Sequence, residues 1–420
     1  MRNLIDEHAR KVMLKSLSGI EAGFLRIVDS EETHNLGDPA ADLRAEIRVH
    51  DRRFFSRAIF GGEIGIGESY MDGDWSSDDL VSVIRIAVRN LSKLETSSRL
   101  TSLLSRLADT VRHRLKTNTI RGSARNIHAH YDLSNDFFRL FLDRNMLYSC
   151  AWFDSVEDSL ETAQLNKIDR ICRKLQLDRD DHVLEIGTGW GGFAIHAAEH
   201  YGCRVTTTTI SREQFDLATA RVREAGLTGR VEVLFEDYRQ LKGTYDKIVS
   251  IEMFEAVGYE FYDEFFGACD RLLQRDGTML LQTITMLDQK FHDYRARADW
   301  IQKHIFPGGE LASLSEVLSS LARSTDMALF QSEDMGAHYA HTLREWRQRF
   351  RKEEQKARMD GFDDVFLRGW DYYLGYCEGA FLERHISAAQ LLLTKTHSQR
   401  QLVNEPWSRT SAPLRLVAGS

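Results

Sequence analysis

A glycine-rich string from Glu185 to Gly192 (EIGTGWGG) is the first part of this chain whose residue types and spacing could do chemistry. The string begins inside the apolar stretch VLEIG, which is typical of a buried strand. Gly187 and Gly189 would let a ligand approach the backbone closely, because they carry no side chain. Glu185, two residues before the first glycine, could offset positive charge on that ligand, as a sulfonium or an ammonium would require. The string therefore favours S-adenosylmethionine as the cofactor.

The same glycines also satisfy the dinucleotide pattern G-x-G-x-x-G, which makes NAD an alternative. That pattern requires an acid that binds the ribose about 20 residues further on. Here the second predicted strand ends in Thr208, Thr209 and Ile210, so the acid is missing. An NAD enzyme is disfavoured, and glycines that serve only a tight strand–helix turn remain the structural alternative.

Two carboxylates and one cysteine are further candidates for chemistry. Glu252 and Glu255 both lie at the end of the predicted strand KIVSIEMF, which covers Lys247 to Phe254. Cys150 lacks the His and Asn partners that activate a thiol nucleophile, so we predict that it has no covalent role.

The elements that must position these residues alternate between strand and helix. The strands are predicted at Val183–Gly187, Arg204–Ile210, Val231–Asp237, Lys247–Phe254 and Thr278–Thr285, with helices at 192–200 and 213–225. Apolar, β-branched strands that alternate with helices predict a doubly wound parallel sheet, whose ligands bind at the carboxyl ends of the strands. The first third instead predicts a smaller α+β unit, with short strands at Phe24–Val28 and Ala45–Val49 and a helix at Leu80–Val88.

Composition narrows the class of protein. The chain has 420 residues, a net charge of −8 and five scattered cysteines. The charge argues against a general nucleic-acid binder, and the cysteines show neither metal-ligand spacing nor a disulfide framework. We expect a reduced, cytoplasmic enzyme that holds no metal and has no membrane-spanning segment.

Several long strings make the class specific. They are HAHYDLSNDFF (128–138), MLYSCAWF (146–153), SIEMFEAVG (250–258), DWIQKHIFPGG (299–309) and GAHYAHTLREWRQRF (336–350). Together they resemble the cyclopropane fatty acid synthase family of S-adenosylmethionine-dependent methyltransferases. The resemblance implies a class I methyltransferase-like α/β fold with helical lid insertions, preceded by a lipid-carrier-like α+β domain. We predict domains at 1–110 and 128–405, a basic linker at 111–127 and a tail at 406–420.

The resemblance also assigns residues to the cofactor. The implied cofactor residues are Tyr148, Ser149, Glu185, Gly187, Gly189, Thr209, Gln214, Asp237 and Tyr238. Ser211 and Asp237 also have a structural interpretation as caps of the turns that follow them.

Members of the family hold a bicarbonate ion as the base, and the resemblance implies its ligands. The positions that match are Cys150, Glu255, Gln282, Ile284 and Tyr339, and Glu255 is preferred over Glu252 for this reason. Gln282 replaces the histidine of the family, and Ala256 replaces the histidine of its F-E-H string. These departures resemble the branch of plant-type synthases and of actinobacterial enzymes that make methylene-branched chains.

The predicted activity follows from these assignments. We expect methyl transfer to the double bond of an unsaturated phospholipid acyl chain, giving a cyclopropane, beneath a lid formed by Met286–Ser315. The alternatives are a methylene-branched product and a catalytically silent lipid-binding protein. A basic run (Arg112, Arg114, Lys116, Arg121 and Arg125) predicts either a solvated linker or transient contact with the inner membrane surface. The oligomeric state stays open, a homodimer included.

Overall fold

Two sheets of unequal size organise the chain in a computed structural model that describes residues 2–93, 134–396 and 398. The predicted linker at 111–127 and tail at 406–420 lie outside these residues. Helices and strands are numbered below in chain order over the described residues. No helix in these ranges is both long and apolar enough to cross a membrane.

The smaller sheet belongs to the first 93 residues and has the order β2-β1-β3-β4. Its elements are α1 (Arg2–Leu17), β1 (Phe24–Val28), β2 (Thr33–Gly37), β3 (Arg44–Val49), α2 (Arg53–Met71), β4 (Trp75–Ser76) and α3 (Leu80–Arg89). Strand β1 pairs antiparallel with β2 and parallel with β3. The predicted strands at Phe24–Val28 and Ala45–Val49 and the predicted helix at Leu80–Val88 are confirmed. Ile27 and Phe55 are fully buried beneath this sheet.

The larger sheet has seven strands in the order β10-β11-β9-β8-β5-β6-β7, and β11 runs antiparallel to both of its neighbours, β10 and β9. Its strands are β5 (His182–Ile186), β6 (Arg204–Thr209), β7 (Val231–Phe235), β8 (Tyr245–Ile251), β9 (Leu273–Met286), β10 (Met327–Asp334) and β11 (Ile386–Lys395). The predicted doubly wound sheet is confirmed. Because the chain runs from β5 outward to β7 and then returns to β8, the carboxyl ends of β5 and β8 flank the crevice where such sheets bind ligands.

Helices cover both faces of this sheet and extend beyond it. They are α4 (Asn135–Arg139), α5 (Leu160–Leu175), α6 (Gly192–His200), α7 (Arg212–Glu224), α8 (Tyr262–Leu272), α9 (Phe291–Arg295), α10 (Trp300–His304), α11 (Leu314–Ser324), α12 (Gly336–Lys352), α13 (Glu354–Met359) and α14 (Asp364–Leu382). The long helix α14 packs against α12 and also against α2 and α3, so that one apolar cluster joins the first 93 residues to the helices beside the larger sheet.

The predicted end of the fourth strand is wrong by three residues. Strand β8 ends at Ile251, and Phe254–Ala256 forms a short 3-10 helix. Glu252 breaks the strand because it has a φ of +49°, in the left-handed region that side chains other than glycine rarely adopt. The backbone N–H of Glu252 donates to the carbonyl of Gln282 at 2.8 Å, which anchors this turn to β9.

Candidate active site

The carboxyl ends of the central strands open into a cavity that the lid covers. The cavity is lined by every predicted cofactor residue: Tyr148, Ser149, Glu185, Gly187, Gly189, Thr209, Gln214, Asp237 and Tyr238. Glu252, Glu255, Ile284 and Tyr339 line it as well, so the predicted cofactor residues and several predicted base residues share one space.

The glycine loop after β5 forms a cradle built from backbone. The N–H groups of Gly187 and Thr188 donate to the carbonyl of Thr208, both at 3.1 Å, and this pair fixes the loop against β6. Gly189 has a φ of +51°, and a Cβ there would project into open space within the cavity. The cradle therefore leaves room for a ligand that a side chain would fill, as S-adenosylmethionine requires.

Glu185 supplies an acid at the floor of this cradle. Its carboxylate accepts from the Thr207 hydroxyl at 2.6 Å, and its burial raises the pKa of Glu185 to about 8. A cationic ligand would oppose this effect of burial, because a nearby positive charge favours the ionised carboxylate.

The turn after β6 is both a helix cap and part of the cavity wall. The Ser211 hydroxyl caps α7 by accepting from the N–H of Gln214, as predicted. The Gln214 side chain does not complete the reciprocal capping box. Its Oε1 instead accepts from the Thr209 hydroxyl at 2.8 Å, which fixes the amide beside the cavity.

Two other predicted cofactor residues are engaged by neighbouring side chains. Asp237 accepts from the backbone and guanidinium of Arg239, so its structural interpretation as a cap holds. Ser149 is buried, and its hydroxyl accepts from the ammonium of Lys167 at 2.7 Å. Both side chains still face the cavity, so these contacts set the positions that they present to a ligand.

Three of the predicted base residues, Cys150, Gln282 and Tyr339, converge on Glu252. Its Oε1 accepts from the Cys150 N–H and from Gln282 Nε2, each at 2.8 Å. Its Oε2 accepts from the Tyr339 hydroxyl at 2.6 Å. Cys150 and Gln282 are themselves fully buried, and burial raises the pKa of the Cys150 thiol well above its usual value. That neutral thiol is consistent with the predicted absence of a covalent role.

Glu255, the carboxylate predicted for the base site, lies beside this cluster in a different environment. Its Oε1 accepts from the Thr283 hydroxyl at 2.9 Å and from the Ile284 N–H at 2.5 Å. Its Oε2 is buried and has no hydrogen-bond partner among the described residues. Burial, followed by repulsion from Glu252, raises the pKa of Glu255 to about 7. The orphaned oxygen is therefore the natural position for the proton of a neutral carboxylic acid.

The residues predicted to bind bicarbonate do not fit a separate ion in this arrangement. Their donors are already used: three point at the Glu252 carboxylate, and the Ile284 N–H points at Glu255. An additional anion would also lie against the Glu252 carboxylate, and like charges at such a distance repel.

Sequence reasoning missed Lys167 and the pair Lys174 and Gln390. Lys167 and Lys174 lie on the buried face of α5 and are 0% and 2% exposed. Gln390 lies opposite Gln282 in the pairing of β11 with β9. A signal did exist for Lys167, because it occupies a position in the helical period that the apolar residues Leu160, Ala163 and Ile171 define.

The rest of the cavity is mostly apolar and passes beneath the lid, and Glu63, Asp299 and Glu310 also line it. Its lining includes Ile284, Phe306, Leu343, Tyr373, Ala380 and Phe381. The side chains of α14 divide into two groups here. Tyr373, Cys377 and Phe381 line the cavity, whereas Phe366 and Trp370 pack around Phe137.

Helix α10, which is part of the lid, packs against α2 of the first 93 residues. Trp300 is fully buried, and a Cβ at Gly67 of α2 would approach its indole to 2.4 Å. Glu68, next along α2, forms an ion pair with Lys303 and a hydrogen bond with His304. The first 93 residues therefore contribute to the support of the lid.

A doubly wound sheet of this order, with one antiparallel strand and a ligand cradle after β5, defines a class I S-adenosylmethionine-dependent methyltransferase. The comparisons with known proteins identify the family. The family model described as "Mycolic acid cyclopropane synthetase" matches residues 118–391, and the chain belongs to this family.

Curated relatives match most of the chain. The chain is 38% identical over 380 residues to the tuberculostearic acid methyltransferase UfaA1 of Mycobacterium tuberculosis, with 88% of each chain covered. It is 37% identical over 355 residues to the cyclopropane-fatty-acyl-phospholipid synthase of Escherichia coli, covering 84% of this chain and 88% of the relative.

Solved structures match the methyltransferase part. The mycolic acid cyclopropane synthase CmaA1 complexed with SAH and CTAB has a TM-score of 0.61 at 34% identity, and the match covers 65% of this chain and 98% of that one. Because SAH is what S-adenosylmethionine becomes after it gives up its methyl group, this neighbour supports S-adenosylmethionine as the cofactor.

Proposed function

We propose that this enzyme transfers a methyl group from S-adenosylmethionine to the double bond of an unsaturated acyl chain on a phospholipid, forming a cyclopropane fatty acid. The observation that carries the proposal is the continuity of one cavity. Its cofactor end is lined by Glu185, Gly187 and Gly189, and its other end is lined mostly by apolar side chains beneath a lid. A flexible, uncharged acyl chain is the class of substrate that such a lining accepts.

The chain's residues would act chiefly by positioning and by excluding water. S-adenosylmethionine supplies an electrophilic methyl group, so an alkene needs alignment with it rather than activation by an acid or a metal. Tyr148 and Tyr339 border the space between the two ends, and Tyr339 stacks on Phe381 with ring centroids 4.5 Å apart. These aromatic faces would stabilise the carbocation that methyl transfer leaves on the acyl chain.

A methylene-branched product is the second candidate, and specific observations favour it. The relative that is 38% identical is named a tuberculostearic acid methyltransferase. Gln282 and Ala256 replace the histidines of the family strings that the sequence resembles. Both products begin with the same cation and gain the same mass, so they differ only in whether the proton is lost before or after a hydride shift.

Proton NMR of lipid methyl esters would decide between the products. The gene would be expressed in a host that makes no modified acyl chains. We expect upfield signals from ring methylene protons. Vinylidene signals without ring signals would establish the methylene product instead, and unmodified lipid in the presence of S-adenosylmethionine would favour a silent lipid-binding protein.

The access of the enzyme to phospholipid is proposed to be peripheral, at the inner surface of the membrane. Support comes from the segment from Arg112 to Arg125, which carries five basic residues and no acidic residue. Replacing all five by glutamine should weaken binding to anionic vesicles at low salt. Unchanged binding to the vesicles would indicate that the segment is only a solvated linker.

A further inference from the structure

The anion position of the candidate active site is occupied by the chain itself. The donors from Cys150, Gln282 and Tyr339 come from the loop before α5, from β9 and from α12, and all of them reach the carboxylate of Glu252. Cys150 and Gln282 are fully buried behind Glu252, whereas Glu252 lines the cavity. Glu252 therefore separates the Cys150 and Gln282 donors from the cavity.

The backbone at Glu252 is held in an unfavourable conformation. A φ of +49° suits glycine, and a side chain persists there only when the surroundings determine it. The surroundings here are the hydrogen bond from the Glu252 N–H to Gln282 and the donors on the carboxylate. A strained residue whose carboxylate accepts three hydrogen bonds at a cavity wall, with acceptor capacity left on Oε2, points to function.

A chain of side chains sets which way the Gln282 amide faces. Lys174 can only donate, and its ammonium bonds Gln390 Oε1 at 2.6 Å. Gln390 Nε2 must then donate, and it bonds Gln282 Oε1 at 2.9 Å. This leaves Gln282 Nε2 to donate to Glu252. The amide is therefore fixed as a donor to an anion, which is the role that a protonated histidine would otherwise fill.

Lys167 supplies the compensating charge. It is fully buried on α5, beside Ser149, and its ammonium attracts the Glu252 carboxylate. Burial raises the pKa of Glu252, whereas the three donors and the Lys167 ammonium oppose that rise. The donors and the cation favour the ionised carboxylate, and a raised pKa suits a group that must accept a proton.

We propose that Glu252 is the built-in base of this enzyme and takes the place of bicarbonate. This inference rests on the proposed function. Methyl transfer breaks the sulfur–carbon bond and forms a carbon–carbon bond, which leaves a cation on the acyl chain. A C–H bond of the new methyl group then breaks, its electron pair closes the ring, and its proton passes to the Glu252 carboxylate. The resulting carboxylic acid returns the proton to solvent when product leaves.

Turnover of the wild-type enzyme in buffer depleted of carbon dioxide and bicarbonate is the first test. We expect the rate to stay within about twofold of the rate with added bicarbonate, because the base belongs to the chain. A wild-type rate that collapses on depletion and returns with bicarbonate would overturn the inference. An enzyme that modifies no lipid under either condition would instead refute the proposed function.

Two variants of Glu252 provide the second test. Glu252→Gln keeps the side-chain shape and should lower kcat by about 100-fold or more, with affinity for S-adenosylhomocysteine within about threefold. Glu252→Gly suits the backbone and opens the space in front of the three donors, so millimolar formate or bicarbonate should raise its rate by about tenfold or more. Glu252→Gln should not respond to either anion, because its amide fills the space.

Two results would contradict the assignment of Glu252 as the base. A Glu252→Gln enzyme with nearly normal kcat would show that Glu252 is not the base. A Glu252→Gly enzyme that turns over normally without an added anion would show the same. If neither variant folds, the bicarbonate requirement of the wild-type enzyme still decides.

Discussion

The two ends of the cavity are built in different ways. The cofactor end is made largely by short segments that follow β5, β6 and β7, together with Tyr148 and Ser149, and part of its wall is backbone. The base end is made by side chains from widely separated segments, namely Cys150, Glu252, Gln282 and Tyr339. The cofactor end can therefore be predicted from local sequence strings, whereas the base end depends on which side chains the fold brings into contact. Substitutions at the cofactor end should weaken cofactor binding, and substitutions at the base end should lower turnover.

The largest effect is expected at the cofactor end. Gly189→Val would place a branched side chain in the open space of the cradle, and the dissociation constant for S-adenosylhomocysteine should rise by about 100-fold or more. Isothermal titration calorimetry would measure it. Gly226→Val is the matched control, because Gly226 has a similar φ of +70° and open surroundings but lies after α7. If Gly189→Val kept wild-type affinity for S-adenosylhomocysteine, the cradle would not be part of the binding site.

The next effect should separate turnover from binding. Tyr339→Phe removes one donor from Glu252 but keeps the ring that stacks on Phe381. We expect kcat to fall by about 10- to 100-fold while affinity for S-adenosylhomocysteine stays within about twofold. Tyr201→Phe is the control, since that hydroxyl bonds Asp169 instead. Lost affinity with a normal rate of the bound enzyme would break the division between the two ends.

A smaller effect concerns stability and pH at the base end. Because burial raises the pKa of Glu255 to about 7, the folded state keeps a proton that the unfolded state has lost above its ordinary pKa of 4.5. The free energy of unfolding should therefore fall as the pH rises from 4.5 to 7, and Glu255→Gln should remove this fall.

Urea unfolding of the cofactor-free enzyme at pH 5 and pH 8 would measure the effect. We expect Glu255→Gln to gain about 2 kcal/mol relative to wild type between these values, less than the full shift implies because the carboxyl faces a cavity that water can enter. Glu185→Gln is the companion variant at the cofactor end, where the pKa of about 8 predicts a fall that extends to higher pH. A pH-independent difference would mean that Glu255 is ionised in the folded state.

The smallest effect is expected for the residue that orients Gln282. Gln390→Leu removes the donor to Gln282 Oε1, so the amide can turn its oxygen toward Glu252. We expect kcat to fall by about three- to tenfold with little change in KM. In the Glu252→Gln background the same substitution should have almost no further effect, because the anion that it serves is gone. Additive losses would indicate a purely structural role for Gln390.

The local pattern of the chain determined most of the larger sheet and the cofactor end. Alternating apolar strands and helices predicted β5 to β9, since periodicity reports which face is buried. The strings around Gly187, Thr209 and Asp237 predicted a set of cofactor residues that share the cavity lining, because strand ends in a parallel sheet meet at one edge. Whether each residue contacts S-adenosylmethionine stays a prediction.

Only the tertiary structure decided which carboxylate sits among the donors. Glu252 and Glu255 are three residues apart in similar sequence, and both were predicted at one strand end. A left-handed turn at Glu252 ends β8 early and places its carboxylate against Cys150, Gln282 and Tyr339. Hydrogen bonds between residues so distant in the chain depend on sheet pairing and helix packing, which no local pattern encodes. For the same reason the donor direction of Gln282, fixed through Gln390 by Lys174, could be read only from the folded chain.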